Sequence, residues 1–184
     1  DPASGSGHIL VEAYELFKAI YLERGYRQRD IAKLILEKNL FGLDIDGRAA
    51  QLTGFALMMK GRTDDRRLFE RGVRLNVLAL RDSGQSTVDS EQLAGGDDKL
   101  AQVIDELKRL FEHATTFGSL IQVPEWVAEM LPELKKLSET SSQDLFVADA
   151  FKRLVPLVQQ AELLAMQYDA VVANPPYMGG KGLN

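Results

Sequence analysis

Apolar residues recur at helical spacing from near the start of the chain. Ile9, Leu10, Ala13, Leu16, Phe17, Ile20 and Tyr21 share one face and predict a helix over about residues 8 to 24, stopped near Gly25. A shorter helix follows from about Asp30 to Lys38, with Ile31, Leu34 and Ile35 on one face. The pattern then changes: Asn39-Leu40-Phe41-Gly42-Leu43-Asp44-Ile45-Asp46 reads as a buried strand ending in carboxylates, and a helix over about 47 to 60 comes next. Val73 to Leu80 is a second β-prone run that ends at the turn-like Asp82-Ser83-Gly84, and the polar, glycine-rich residues 83 to 98 read as loop. Leu100, Val103, Ile104, Leu107, Leu110 and Phe111 restore the helical period. Two further helices fit about 124 to 138 and 145 to 167, the last kinked at Pro156. Tyr168-Asp169-Ala170-Val171-Val172-Ala173 predicts a final short strand running into Asn174-Pro175-Pro176-Tyr177.

Strands alternating with helices argue for an α/β fold, a parallel sheet with flanking helices, in which ligands sit beyond the carboxyl ends of the strands. Three loops fall at such ends: residues 1 to 7, 44 to 46 and 174 to 177. Composition narrows the classes of function. The 184 residues, 45% hydrophobic and 27% charged, suit one domain or part of one. They contain no apolar run long enough for a bilayer and no signal segment, so the expectation is a cytoplasmic protein with no membrane partner. With no cysteine and two histidines, disulfides, thiolate zinc sites and a histidine-rich metal centre drop out, and no metal ligands are expected. Lys plus Arg is 22 against 27 for Asp plus Glu, net −5, so any nucleic-acid backbone must be gripped mostly from elsewhere.

The three loops differ in chemical content. Gly5 and Gly7 allow close backbone approach at the start of a helix whose dipole is positive. Leu10 stands where a dinucleotide fingerprint wants glycine, and no Gly-Lys-Ser/Thr follows. Asp44 ends a strand where an acid can accept hydrogen bonds from ribose hydroxyls, while Asp46 reads as a cap of the following helix. Asn174 offers a side-chain carbonyl and Pro175 a backbone carbonyl on a restricted backbone, two acceptors suited to one planar NH2 group. Tyr177 adds a ring on which a base can stack. Two acceptors on one amine leave nitrogen lone-pair density facing a methyl donor, and no base of shifted pKa is required beforehand.

Asp1-Pro2-Ala3-Ser4-Gly5-Ser6-Gly7-His8-Ile9-Leu10, Leu43-Asp44-Ile45-Asp46 and Asn174-Pro175-Pro176-Tyr177 together resemble the first, second and fourth motifs of S-adenosylmethionine-dependent N6-adenine DNA methyltransferases. The ending Tyr177-Met178-Gly179-Gly180-Lys181-Gly182-Leu183-Asn184 and the inserted helices resemble the large adenine methyltransferases of BREX phage-defence systems. The resemblance spans the whole chain; members usually carry Cys where Ser4 stands. It implies a Rossmann-like methyltransferase fold, incomplete, with a helical insertion before the last strand. Residues 1–82 would be the cofactor-binding part, 84–167 the mainly helical insertion, and 168–184 a strand and the catalytic loop.

The resemblance further implies S-adenosylmethionine as cofactor, held by Asp1, Pro2, Ala3, Gly5, Gly7, Asp44 and Ile45. Asp1 would take the amino group of its methionine part and Asp44 its ribose. An acid or amide after the third strand would meet the cofactor adenine, with Asp82 the nearest candidate and Asn76 the other. Asn174, Pro175, Pro176 and Tyr177 would receive an adenine flipped out of duplex DNA. The partners implied are duplex DNA and defence-complex proteins. The chain begins inside the first motif and stops after the catalytic loop, so it is expected to be part of a larger enzyme and inactive alone. N5-glutamine protein methyltransferases share the Asn-Pro-Pro-Tyr loop, but Pro2 and the helical insertion favour the DNA enzymes. A catalytically silent cofactor- or partner-binding module fits the acidic balance, though not the intact tetrapeptide. Elsewhere, His8 reads as a partly exposed first-turn residue, Trp126 and the phenylalanines as packing, Asp64-Asp65-Arg66-Arg67 as a solvated turn or helix end, and Lys181 as a contact to a target phosphate.

Overall fold

The computed structural model describes residues 1–84, 90–139 and 145–175. These divide into two compact units, one of residues 1–79 with the described residues from Asp169 on, the other of residues 80–168.

In the first unit, α1 (His8–Glu23) is followed by α2 (Gln28–Leu34), which widens into one π-helical turn over Ile35–Asn39. The wide turn closes with Leu40 N–H donating to the Ile35 carbonyl at 3.1 Å and delivers the chain into β1 (Phe41–Asp44). Next come α3 (Gly47–Asp64), a single 3-10 turn (Leu68–Arg71) and β2 (Asn76–Ala79). β1 and β2 pair in parallel, Phe41 opposite Asn76 through Asp44 opposite Ala79, and α3 packs against both. The parallel sheet with flanking helices is therefore present as a small, incomplete α/β arrangement. Leu10, Tyr14, Ile31, Ile35, Leu36, Leu40, Leu57 and Leu68 form the core beneath it.

Gly42 shows how tightly this core fits. A Cβ there would stand 2.9 Å from Leu10 Cδ1 and 3.4 Å from Val77 Cγ2. Gly42→Ala should therefore destabilise the fold by about 1–3 kcal/mol, as overpacking does, measured by chemical denaturation.

Asp64 ends α3, as the helix-end reading expects, but neither Asp64 nor Asp65 is solvated. Both side chains are 6% exposed, Asp64 beside Lys18 Nζ at 2.6 Å and Asp65 beside Arg71 Nε at 2.6 Å. Tyr14 Oη also donates to Asp64, at 3.0 Å, so the end of α3 is tied to α1. Burial alone would push the Asp64 carboxyl up, but the hydrogen bonds from Lys18 and Tyr14 outweigh it and hold it below its ordinary 3.8. A carboxyl held lower in the folded than in the unfolded chain stabilises the fold above the unfolded value. That stability is lost as pH falls through the folded value. Stability of the native protein should thus fall more steeply than that of Asp64→Asn as pH drops below about 4, a comparison made by denaturation across acid pH.

The second unit is helical: α4 (Ser90–Leu93), α5 (Asp98–Leu110), α6 (Ala114–Phe117), α7 (Glu125–Glu139) and α8 (Leu145–Ala165). The Asp97 side chain caps α5, accepting from the N–H groups of Lys99 and Leu100 at 2.9 and 3.2 Å. The apolar stripe of α5, Leu100, Val103, Ile104 and Leu107, is buried, as are Val127 and Leu134 of α7 and Leu154, Leu157 and Ala161 of α8. These three helices pack on one another. α8 continues through Pro156.

Two expectations need correction. Residues 168–173 form no strand: they carry no ladder bonds, Val171 and Val172 are exposed, and the Tyr168 hydroxyl donates to the Leu163 carbonyl at 2.7 Å. β propensity reflects fit to a neighbouring strand, and an apolar run without a paired neighbour stays irregular. The expected last strand is therefore absent from the described fold. Second, Phe111 is buried, but Phe55, Phe69, Phe117 and Trp126 are exposed, so the aromatic residues do not serve uniformly as packing.

Candidate functional site

The site is assembled at the carboxyl end of β1. The Asp1 main-chain nitrogen donates to the Phe41 carbonyl at 2.8 Å, and the Asp1 carbonyl accepts from Leu43 N–H at 2.9 Å. One residue bracketing its neighbour in this way is the parallel hydrogen-bond pattern. Ser4 N–H extends it by donating to the Leu43 carbonyl at 2.9 Å. Phe41 and Leu43 thus turn their polar groups toward residues 1–4, and the other edge of β1 serves β2. The glycine loop thus starts beside one edge of β1, whose other edge pairs with β2.

Asp44 closes that loop. Its Oδ2 accepts from Gly5 N–H at 2.7 Å and its Oδ1 from Asp46 N–H at 2.8 Å. Each oxygen retains acceptor capacity, since a carboxylate oxygen has two lone-pair directions. Gly7, at φ +83°, leads into α1 in the left-handed region, and a Cβ there would stand 3.0 Å from two atoms of the Thr53 side chain. Both the conformation and the space demand glycine. Gly5 is also left-handed, at φ +54°. Asp46 is a helix cap as its position predicts, its Oδ1 accepting from Arg48 N–H at 2.8 Å at the start of α3. Ile45 between them is exposed, as is His8 on the first turn of α1.

Two polar atoms of the loop are buried without a protein partner: Asp1 Oδ2 and Ser4 Oγ. The other Asp1 oxygen accepts from Ala3 N–H at 3.0 Å, beside the half-buried Pro2, so the carboxylate is held with one oxygen unused. An unpaired buried carboxylate oxygen is costly and calls for a donor. A ligand amino group has the chemistry to satisfy it. Asp1, Pro2, Ala3, Gly5, Gly7, Asp44 and Ile45 therefore share one corner of the first unit.

The remaining sequence candidates are Asn76, Asp82 and the run that begins at Asn174. Asn76 opens β2 opposite Phe41, at the far end of the sheet from Asp44, and its amide donates to the Glu37 carbonyl at 3.0 Å. A residue at the amino end of a parallel strand is not one that follows it, so Asn76 is excluded from that role. Asp82 belongs to the second unit, where it accepts from Thr115 N–H at 2.8 Å and from the Thr115 hydroxyl at 3.0 Å. The Thr115 backbone bond, with help from its hydroxyl, holds the Asp82 carboxyl below the usual range. Asn174 and Pro175 are exposed; Pro176, Tyr177 and Lys181 lie outside the described residues.

Thr53 is the residue that the sequence reading passed over. Fully buried on α3, it donates through Oγ1 to the Gly5 carbonyl at 2.9 Å. The available signal was a hydroxyl on the buried face of α3, between Ala50 and Leu57 at helical spacing.

Residues 38–184 match the Eco57I restriction-modification methylase family. The chain is 49% identical over 208 residues to the adenine-specific methyltransferase BrxX of Escherichia coli O9:H4 (strain HS), a match covering 100% of this chain and 17% of that protein. It is 36% identical over 184 residues to the adenine-specific methyltransferase PglX of Lacticaseibacillus casei (strain Zhang), covering 97% of this chain and 15% of that one. The chain spans about a sixth of the length of these curated relatives.

Proposed function

The chain belongs to the Eco57I restriction-modification methylase family, and on that premise we propose that it is the cofactor- and target-holding part of an S-adenosylmethionine-dependent N6-adenine DNA methyltransferase with a Rossmann-like sheet. The observation that carries this reading is the corner built from Asp1, Gly5 and Asp44, where one buried carboxylate oxygen lacks a partner and a second carboxylate stands at a strand end. No helix among the described residues is long and apolar enough to cross a membrane.

The residues present fit the cofactor. Asp1 Oδ2 would accept from its amino group, Asp44 would take its ribose hydroxyls with the free lone pairs of both oxygens, Gly5 would leave its side open to the ligand, and Gly7 lets the loop close on Thr53 beneath it. Pro2, Ala3 and Ile45 line the same corner. Three carboxylates, Asp1, Asp44 and Asp46, also suit a ligand whose reactive end is cationic. When bound, S-adenosylmethionine supplies a methyl group on a positively charged sulfur. Asn174 and Pro175 would hold the target amine through two carbonyl acceptors, keeping its lone pair available. Transfer leaves a neutral thioether and a cationic nitrogen whose surplus proton, acidic only at that point, passes to water, so acceptors suffice where a strong base would otherwise be needed. By the family resemblance, Pro176 would restrict the backbone at the target amine and Tyr177 would give the extruded base a stacking face. Asp82 is assigned to the cofactor adenine. The working division is residues 1–82 for cofactor, 84–167 as a helical insertion and 168–184 for the target. The setting we infer is cytoplasmic BREX-type phage defence, with duplex DNA as substrate and other defence proteins as partners.

The test is cofactor turnover by the full-length protein. Duplex DNA containing adenine should stimulate it, and an inosine–cytosine duplex should not. Equal turnover with both would remove adenine as the target.

A further inference from the structure

We infer that Thr53 is a positioning residue for the cofactor loop, setting cofactor affinity through the Gly5–Ser6 peptide; this rests on the methyltransferase reading above. Thr53 is fully buried, and its hydroxyl donates to the Gly5 carbonyl at 2.9 Å. On the other side of the same residue, Gly5 N–H donates to Asp44 Oδ2 at 2.7 Å. Gly5 is thus held at both of its peptide groups, once by the end of β1 and once by the helix that follows. Glycine at φ +54° has wide conformational freedom, and nothing lies within 4 Å of the place a Cβ would occupy. Side-chain packing does not fix this residue; the turn closed over it by Gly7 N–H donating to the Ser4 carbonyl at 2.7 Å holds the backbone, and the two hydrogen bonds to Gly5 itself set the direction of its peptide groups.

The hydroxyl bond has a directional consequence. In a planar trans peptide, C=O and N–H point in opposite directions. Fixing the Gly5 carbonyl toward α3 fixes the Ser6 N–H away from it. Thr53 also meets Gly7: its Cγ2, Oγ1 and Cα stand 3.0, 3.0 and 3.1 Å from the position of a Cβ on Gly7. The Thr53 methyl and hydroxyl therefore do different things. The methyl fills space under Gly7, and the hydroxyl orients Gly5.

Variants that separate these two roles test the inference. In the full-length protein, S-adenosylhomocysteine binding is measured by titration calorimetry beside the melting temperature. Thr53→Val keeps the shape and removes the hydroxyl, and should weaken binding roughly three- to tenfold, the worth of one hydrogen bond. Thr53→Ser keeps the hydroxyl and should bind within about twofold of the native protein, even where the lost methyl lowers the melting temperature. Native-like binding by Thr53→Val, or Thr53→Ser as weak as Thr53→Val, would overturn the role of the hydroxyl. Should Thr53→Val fail to fold, Thr53→Ser against Thr53→Ala poses the same question, and equal affinities would overturn it. A native protein that does not bind S-adenosylhomocysteine would instead overturn the methyltransferase reading, and this inference with it.

Discussion

Asn174→Ala should lower methyl transfer to adenine by about 10²- to 10³-fold, the scale seen when one preorganised polar group at a reacting centre is removed. Cofactor affinity should stay within a few-fold of native. The asymmetry follows from the proposed roles, in which Asn174 would supply one of two acceptors for the target amine and Asp1, Gly5 and Asp44 would contact the cofactor. Asn174 is exposed in the structure, so the substitution opens no cavity and leaves the core intact. Single-turnover rates and calorimetric affinities, taken together on the full-length protein, check both halves. An equal loss of cofactor binding would show that Asn174 does not belong to the target alone.

Asp44→Ala should act in the opposite sense, weakening cofactor binding by about 1–3 kcal/mol, the cost of leaving the partners of a charged acceptor unsatisfied. Two of those partners are visible: Gly5 N–H at 2.7 Å and Asp46 N–H at 2.8 Å. Losing both loosens the loop and the start of α3 together, so the melting temperature should fall as well. Asp44→Asn retains an acceptor for one amide and should lie between alanine and native. A lower melting temperature with unchanged affinity would confine Asp44 to tying the loop to the strand.

The pairing of Asp44 with Gly5 was legible in the sequence to the extent that a carboxylate at a strand end and a glycine loop at a helix start belong at one edge of a parallel sheet. That inference needs only the period of the apolar residues and the direction of the chain. What escaped depended on neighbours distant in sequence. Thr53 looks like an ordinary residue of α3 until α1 and α3 are packed and its hydroxyl meets Gly5. Asp64 and Asp65, in a run of charges, suggest solvent, and only the fold brings Lys18 and Arg71 to them. The run from Tyr168 to Ala173 has the residues of a strand, but a strand also needs a ladder partner, which no local pattern supplies. Asn76 failed for a reason of register: the strand begins at it, three residues inside the β-prone run, so it falls at the wrong end of the sheet.

The central claim is that the methyl group goes to N6 of adenine in DNA, and the product states this most directly. Duplex DNA incubated with the full-length protein and S-adenosylmethionine carrying a deuterated methyl group is digested to nucleosides and read by mass spectrometry. The account predicts labelled N6-methyladenine, lost with Asn174→Ala. Label on a protein glutamine amide, with none on adenine, would contradict it.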